Sequence, residues 1–81
     1  MNDKVTVLIP TFNEIEGLKK IIPQIKKEWY DQLLFVDGNS TDGTIEYIES
    51  NNWQLHIQTS FGLKNAYLEV WEKIENDVVV I

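Results

Sequence analysis

Two short segments carry side chains able to do chemistry on a ligand: Pro10-Thr11-Phe12-Asn13-Glu14 and Asp37-Gly38-Asn39-Ser40-Thr41-Asp42-Gly43-Thr44. A carboxylate such as Asp37 can accept hydrogen bonds from a base or a ribose hydroxyl. Phe12 can lie flat against a ring. Gly38 lets backbone approach a ligand closely, and a helix starting after Ser40 offers free N–H groups to an anion. Each also has a plainer use. Asp37 can brace its own turn, Phe12 can be a core aromatic, Asn13-Glu14 can be a helix start with an acidic first turn, and Asp42-Gly43 reads most simply as a capping turn.

Other chemistries find no motif. Neither G-x-G-x-x-G nor G-x-x-x-x-G-K-[ST] is present, so a dinucleotide or P-loop reading has nothing behind it. Asp37-x-Asn39 begins like a calcium loop, but Asp42 stands where such a loop needs glycine and Ile48 where it needs glutamate. A receiver- or flavodoxin-like domain is disfavoured because the first loop lacks an acidic cluster or a phosphate-binding Ser/Thr run. His56 reads as solvated surface, and Trp53 and Trp71 as packing residues.

The elements that must position the two segments follow from periodicity. Val5–Ile9 and Leu33–Val36 are continuous apolar runs of strand length, the first ended by Pro10. Ile15, Leu18, Ile21, Ile22, Ile25 and Trp29 recur at helical spacing, predicting a helix over 14–29 with a break near Ile22 forced by Pro23. Ser40 or Thr41 caps a second helix that turns Ile45 and Ile48 inward and Glu46 and Glu49 outward, ending at Asn51-Asn52. Gln54–Gln58 alternates and marks a half-exposed edge strand. Ala66, Tyr67, Val70, Trp71 and Ile74 give a third helix, and Val78–Ile81 a fourth strand. The pattern is β-α-β-α-β-α-β, an α/β fold. With right-handed crossovers and the third strand outermost, the sheet is parallel and four-stranded in the order 3-2-1-4, with helices on both faces. Both segments then lie at carboxyl ends of neighbouring strands, where open α/β sheets bind ligands, with the switch point between strands 1 and 4 beside Pro10–Glu14.

Bulk properties narrow the class. The chain has 81 residues, 43% hydrophobic and 25% charged, consistent with one ordinary globular domain over residues 1–81. A formal charge of −6 argues against a nucleic-acid partner. The basic residues Lys19, Lys20, Lys26 and Lys27 fall within one helical segment and read as a solvated face. Absence of cysteine fits a reducing compartment. Neither a signal peptide nor a transmembrane segment is evident, so a cytoplasmic location is expected.

In combination, Val-Leu-Ile-Pro-Thr-Phe-Asn-Glu at 7–14 and Phe-Val-Asp-Gly-Asn-Ser-Thr-Asp-Gly-Thr at 35–44 strongly resemble the amino-terminal part of family 2 glycosyltransferases. These are inverting GT-A enzymes, and the dolichyl-phosphate mannose synthase and polyprenyl-phosphate glycosyltransferase branches look most similar. Phe61-Gly62-Leu63-Lys64-Asn65-Ala66 also resembles that family's opening of the third helix. The resemblance implies the Rossmann-like half of a GT-A fold that binds a nucleotide diphosphate or nucleotide sugar. Pro10, Thr11, Phe12, Glu14, Asp37 and Gly38 would hold the nucleotide. The family usually has Tyr where Phe12 stands, and often a second Asp where Gly38 stands, a carboxylate that commonly reads the base. Its metal-binding Asp-x-Asp lies just after a strand like Val78–Ile81, and its catalytic base further on. Neither occurs here, so no catalytic residue, metal ligand or cofactor is assigned; Mg or Mn is expected for a full-length relative. The domain is read as truncated, and the chain alone is expected to transfer no sugar.

A second reading is a small α/β module for assembly without catalysis. The terminal strand Val78–Ile81 would carry an unpaired apolar edge, which invites pairing with a second copy. Self-association is expected under either reading.

Overall fold

The computed structural model describes residues 4–74 and 77–80. Its elements run β1 (Val5–Thr11), α1 (Ile15–Ile21), β2 (Gln32–Asp37), α2 (Thr44–Ser50), β3 (Gln54–Ile57), α3 (Leu63–Val70) and β4 (Asp77–Val80). All strand pairs are parallel, and the sheet order is β3-β2-β1-β4, as the pattern and the crossover rule required.

The two central strands are buried on both faces, which is why they read as continuous apolar runs. Pleating sends Val7, Ile9 and Phe35 to one face, where Leu18 of α1 and Ile48 of α2 close over them. Leu8, Leu34 and Val36 point to the other, against Ala66 and Val70 of α3. Trp53 stacks on Phe35, with ring centroids 5.3 Å apart, and so packs as expected. At the amino-terminal end of the sheet, Thr6 Oγ1 donates to Gln32 Oε1, while Gln32 Nε2 donates to Gln54 Oε1 and the Lys73 carbonyl.

Several boundaries differ from expectation, each for a local reason. The first helix ends at Ile21 instead of running to Trp29. Pro23 sits in a 3₁₀ turn at Ile22–Gln24, Ile25 is extended, and a second turn covers Lys27–Trp29. Pro23 has no N–H for residue 19 and its ring crowds that carbonyl, so the helix breaks where foreseen and does not resume. Ile22 and Ile25 still reach the core, whereas Trp29 is exposed.

Conversely, β1 continues through Pro10 to Thr11. The Thr11 carbonyl accepts from Gly38 N–H, so by alternation Pro10 faces the β4 side, beyond the last described pair Leu8–Val80. No ladder hydrogen bond among the described residues is lost there. The third helix ends at Val70, leaving Trp71 in a 3₁₀ turn and 68% exposed, not packed. On β4, Val78, Val79 and Val80 are 40%, 50% and 46% exposed, and among the described residues no strand pairs with the edge away from β1. Ile81, the end of the expected strand, lies outside the described residues.

Candidate functional site

At the carboxyl ends of β1, β2 and β3 the connecting loops enclose a cavity of about 400 Å³. Pro10, Thr11, Phe12 and Glu14 form one side, Gly38 and Asn39 the base, and the segment 58–63 the opposite wall. The cavity therefore lies on the β3 side of β1, rather than at the switch point beside β4. It brings together Pro10, Thr11, Phe12, Glu14 and Gly38 of the residues singled out from sequence. Phe12 is 58% exposed and borders the cavity, so it is not a core aromatic.

Asp37 is placed differently. It is fully buried beneath the cavity. Its Oδ1 accepts from Thr11 Oγ1 and Ser40 Oγ, both at 2.7 Å, and its Oδ2 accepts from Ser40 N–H at 2.7 Å. The carboxylate is consumed in holding the ends of β1 and β2 and the turn between β2 and α2. It does not line the cavity.

The rest of the second segment laces that corner. Asn13 N–H donates to Ser40 Oγ, and Thr41 N–H donates to Asn13 Oδ1. Asp42 caps both helices at once: Oδ2 accepts from Ile15 N–H, and Oδ1 from Thr44 N–H and Thr44 Oγ1. The cap of α2 is thus Asp42 acting across Gly43, whose φ of 101° only glycine adopts easily, and not Ser40 or Thr41. The Thr44 hydroxyl, followed by the Ile15 and Thr44 amides, holds the Asp42 carboxyl below its ordinary range. Thr44 N–H, the first amide of α2, is therefore not free for an anion.

The opposite wall hangs on α3. Glu69 accepts from the backbone N–H groups of Thr59 and Ser60, from the Ser60 hydroxyl and from His56 Nε2. These donors, the Ser60 hydroxyl foremost and then His56, depress the Glu69 carboxyl from 4.5 to about 2. His56 is accordingly not solvated surface: its side chain is 19% exposed, and Lys73 Nζ reaches its Nδ1 at 3.0 Å. With the ammonium donating to Nδ1, the ring proton resides on Nε2 and points at Glu69. Sequence reasoning missed this wall. Gln58 was visible only as the end of an edge strand, and Glu69 drew no reading at all. The contacts that give them a role span β3, a loop and α3, with no local spacing to mark them.

Among the described residues no cluster of three acidic or histidine side chains could hold a metal ion. No helix among them is long and apolar enough to cross a membrane.

The order of the sheet and the cavity over its carboxyl edge define an open, parallel α/β domain with its ligand-sized cavity where such sheets bind ligands. The family model for glycosyl transferase family 2 matches residues 6–81, and the chain belongs to that family. It is 36% identical over 70 residues to glycosyltransferase AglJ of Haloferax volcanii, covering 86% of this chain and 23% of that protein. To the putative glycosyltransferase TagX of Staphylococcus aureus it is 32% identical over 63 residues, covering 78% and 18%. The chain thus spans about a quarter or less of these relatives' length. Its fold matches glucosyl-3-phosphoglycerate synthase from Mycobacterium tuberculosis, solved with Mn2+, uridine diphosphate and glucosyl-3-phosphoglycerate. The TM-score is 0.76 at 22% identity, over 99% of this chain and 33% of that one. The fold is the GT-A type, carried by the four parallel strands and their helices.

Proposed function

We propose that the cavity binds the nucleoside diphosphate part of a sugar donor, and that the chain is the nucleotide-binding portion of an enzyme transferring that sugar. One observation carries this: a cavity of about 400 Å³ at the strand ends, bordered by the exposed Phe12 ring and the Glu14 carboxylate. The volume suits a nucleoside, the ring supplies a stacking face, and the carboxylate accepts from sugar hydroxyls. Pro10, Thr11 and Gly38 complete the contact surface. Asp37 contributes by fixing Thr11 and the turn that carries Gly38. The uridine diphosphate in the structurally similar synthase supports a nucleotide ligand in this fold.

Transfer itself needs a cation or its equivalent at the departing diphosphate and a base on the acceptor. The described residues hold no set suited to the cation. Mg or Mn is proposed for the longer relatives, and this chain alone is proposed to be inactive. The lack of cysteine supports a cytoplasmic setting. The test is an amide NMR titration of the purified protein with UDP, GDP and their sugars. Shifts clustered at Phe12, Glu14, Gly38 and Ser60 are expected; no shifts at millimolar nucleotide would refute the nucleotide reading.

A second proposal concerns assembly and is compatible with the first. The exposed valines of β4 and its open edge support pairing with a second copy. Sedimentation should show a concentration-dependent dimer, and a strict monomer at high concentration would reject it.

A further inference from the structure

We infer that Gln58 determines base specificity in the cavity, by presenting one fixed hydrogen-bond acceptor to a ring N–H of the kind found in uracil and guanine. The inference rests on the nucleotide reading above and goes beyond it by naming the group that reads the base.

Every polar atom of Gln58 but one is engaged. Its N–H donates to the Asp37 carbonyl at 2.7 Å, and its carbonyl accepts from Asn39 Nδ2 at 2.9 Å. Its side-chain Nε2 donates to the carbonyls of Ser60 at 2.8 Å and Gly62 at 3.1 Å. Two carbonyl partners fix which end of the amide is nitrogen, because an oxygen there would face two acceptors. Oε1 is left over, and its direction is set.

That direction is into the cavity. A Cβ built on Gly38 would lie 3.4 Å from Gln58 Oε1 and 3.3 Å from Phe12 Cδ1. The space above Gly38 is therefore bordered by both an aromatic ring and an amide oxygen, and all three residues line the cavity. A base stacked on Phe12 brings its polar edge to that oxygen. With Nε2 tied down, the amide cannot turn to offer a donor. A ring nitrogen carrying hydrogen is accepted; one presenting a lone pair, as in cytosine or adenine, is opposed.

The test measures affinities of UDP, GDP, CDP, 3-methyluridine diphosphate and 1-methylguanosine diphosphate for the wild-type protein and for Gln58→Leu, by calorimetry with amide spectra as a fold check. For whichever of UDP and GDP binds more tightly, wild type should bind its N-methyl counterpart, and CDP, about tenfold or more less tightly, the worth of one hydrogen bond with its acceptor left unpaired. Gln58→Leu also removes the brace to Ser60 and Gly62, so it should weaken both forms, but the parent nucleotide about tenfold more than the N-methyl form, so that discrimination collapses. If wild type binds parent and N-methyl forms alike, the inference falls while nucleotide binding stands. Equal weakening of every ligand in Gln58→Leu, with discrimination intact, would reduce Gln58 to a loop brace. Binding of no nucleotide at all would overturn both proposals together.

Discussion

The cavity has two walls built on opposite plans. On the β1–β2 side, the buried Asp37 binds Thr11 and Ser40, and around it the exposed Asn13 and Asp42 bind Ser40, Thr41, Ile15 and Thr44. On the β3–α3 side, exposed Thr59, Ser60, Phe61 and Gly62 are suspended from Glu69 and the Gln58 amide. The first wall holds itself whether or not a ligand is present. The second hangs from three side chains, Gln58, Asn65 and Glu69, through hydrogen bonds to an exposed loop. A densely bonded face that positions Phe12 and Glu14 thus confronts a loop, Thr59–Gly62, hinged on the fixed anchors Gln58 and Glu69, a division suited to pre-organised stacking.

The largest expected effect comes from breaking the rigid wall. Asp37→Ala leaves Thr11 Oγ1, Ser40 N–H and Ser40 Oγ without their acceptor in a fully buried site. The cost should be about 3 kcal/mol or more, a large share of what a domain this small possesses. Urea denaturation should show a strongly lowered midpoint, or a chain already unfolded in buffer. An unchanged midpoint would mean that this corner is not the scaffold. Asp37→Ala is consequently no clean probe of ligand contact, and Phe12→Ala, at an exposed position, is the better one.

This contrast also explains how much was legible in the sequence. The fold was nearly all there, because Val5–Ile9 and Leu33–Val36 are buried on both faces and the apolar spacing around Leu18, Ile48 and Val70 fixes which way each helix turns. One half of the cavity was legible too, since loops after parallel strands carry their chemistry in consecutive residues. What stayed hidden was of two kinds. Asp42-Gly43 already read as a capping turn and Asp37 as either a ligand acceptor or a turn brace, and only the three-dimensional partners of Asp37 decide for the brace. Gln58 and Glu69 sit in bland surroundings, and their roles arise from bonds between β3, the following loop and α3. Pro10 and Pro23 show the same limit at the level of boundaries. One is tolerated in a strand because its missing N–H faces the side where described pairing has ended; the other ends a helix because its partner carbonyl is in the same turn.

A smaller effect, confined to the hinged wall, should follow from Glu69. Its folded-state value of about 2 lies below the ordinary 4.5, so its contribution is fully present above pH 4.5 and is lost as pH falls towards 2. The amide shifts of Thr59 and Ser60 in the folded protein should titrate together with a midpoint near pH 2, while those of Asn13 and Gly38 on the rigid wall should not follow Glu69. Glu69→Gln should abolish this shared titration, loosen the loop and weaken nucleotide binding, with little change in the denaturation midpoint. A midpoint falling as far as that of Asp37→Ala would erase the distinction between the walls.

The smallest perturbation falls on the seam between them. Gly38→Ala adds one methyl group whose nearest neighbours would be Phe12 Cδ1 at 3.3 Å and Gln58 Oε1 at 3.4 Å. The contact to Phe12 is tighter than a methyl group normally accepts and that to Gln58 is at the edge of ordinary contact, yet the exposed Phe12 ring can yield without disturbing the core. Against that crowding stands the reduced freedom of the unfolded chain, a gain of about 0.4–1 kcal/mol where the backbone permits alanine. Stability should therefore stay within about 0.5 kcal/mol of wild type, while the gap between stacking ring and amide oxygen is filled. Nucleotide affinity should drop several-fold, with selectivity between UDP and CDP eroding at the same time, because ring and acceptor are displaced together. Lost affinity with undiminished selectivity would mean that Phe12 moves and Gln58 does not, placing the seam wholly on the rigid side.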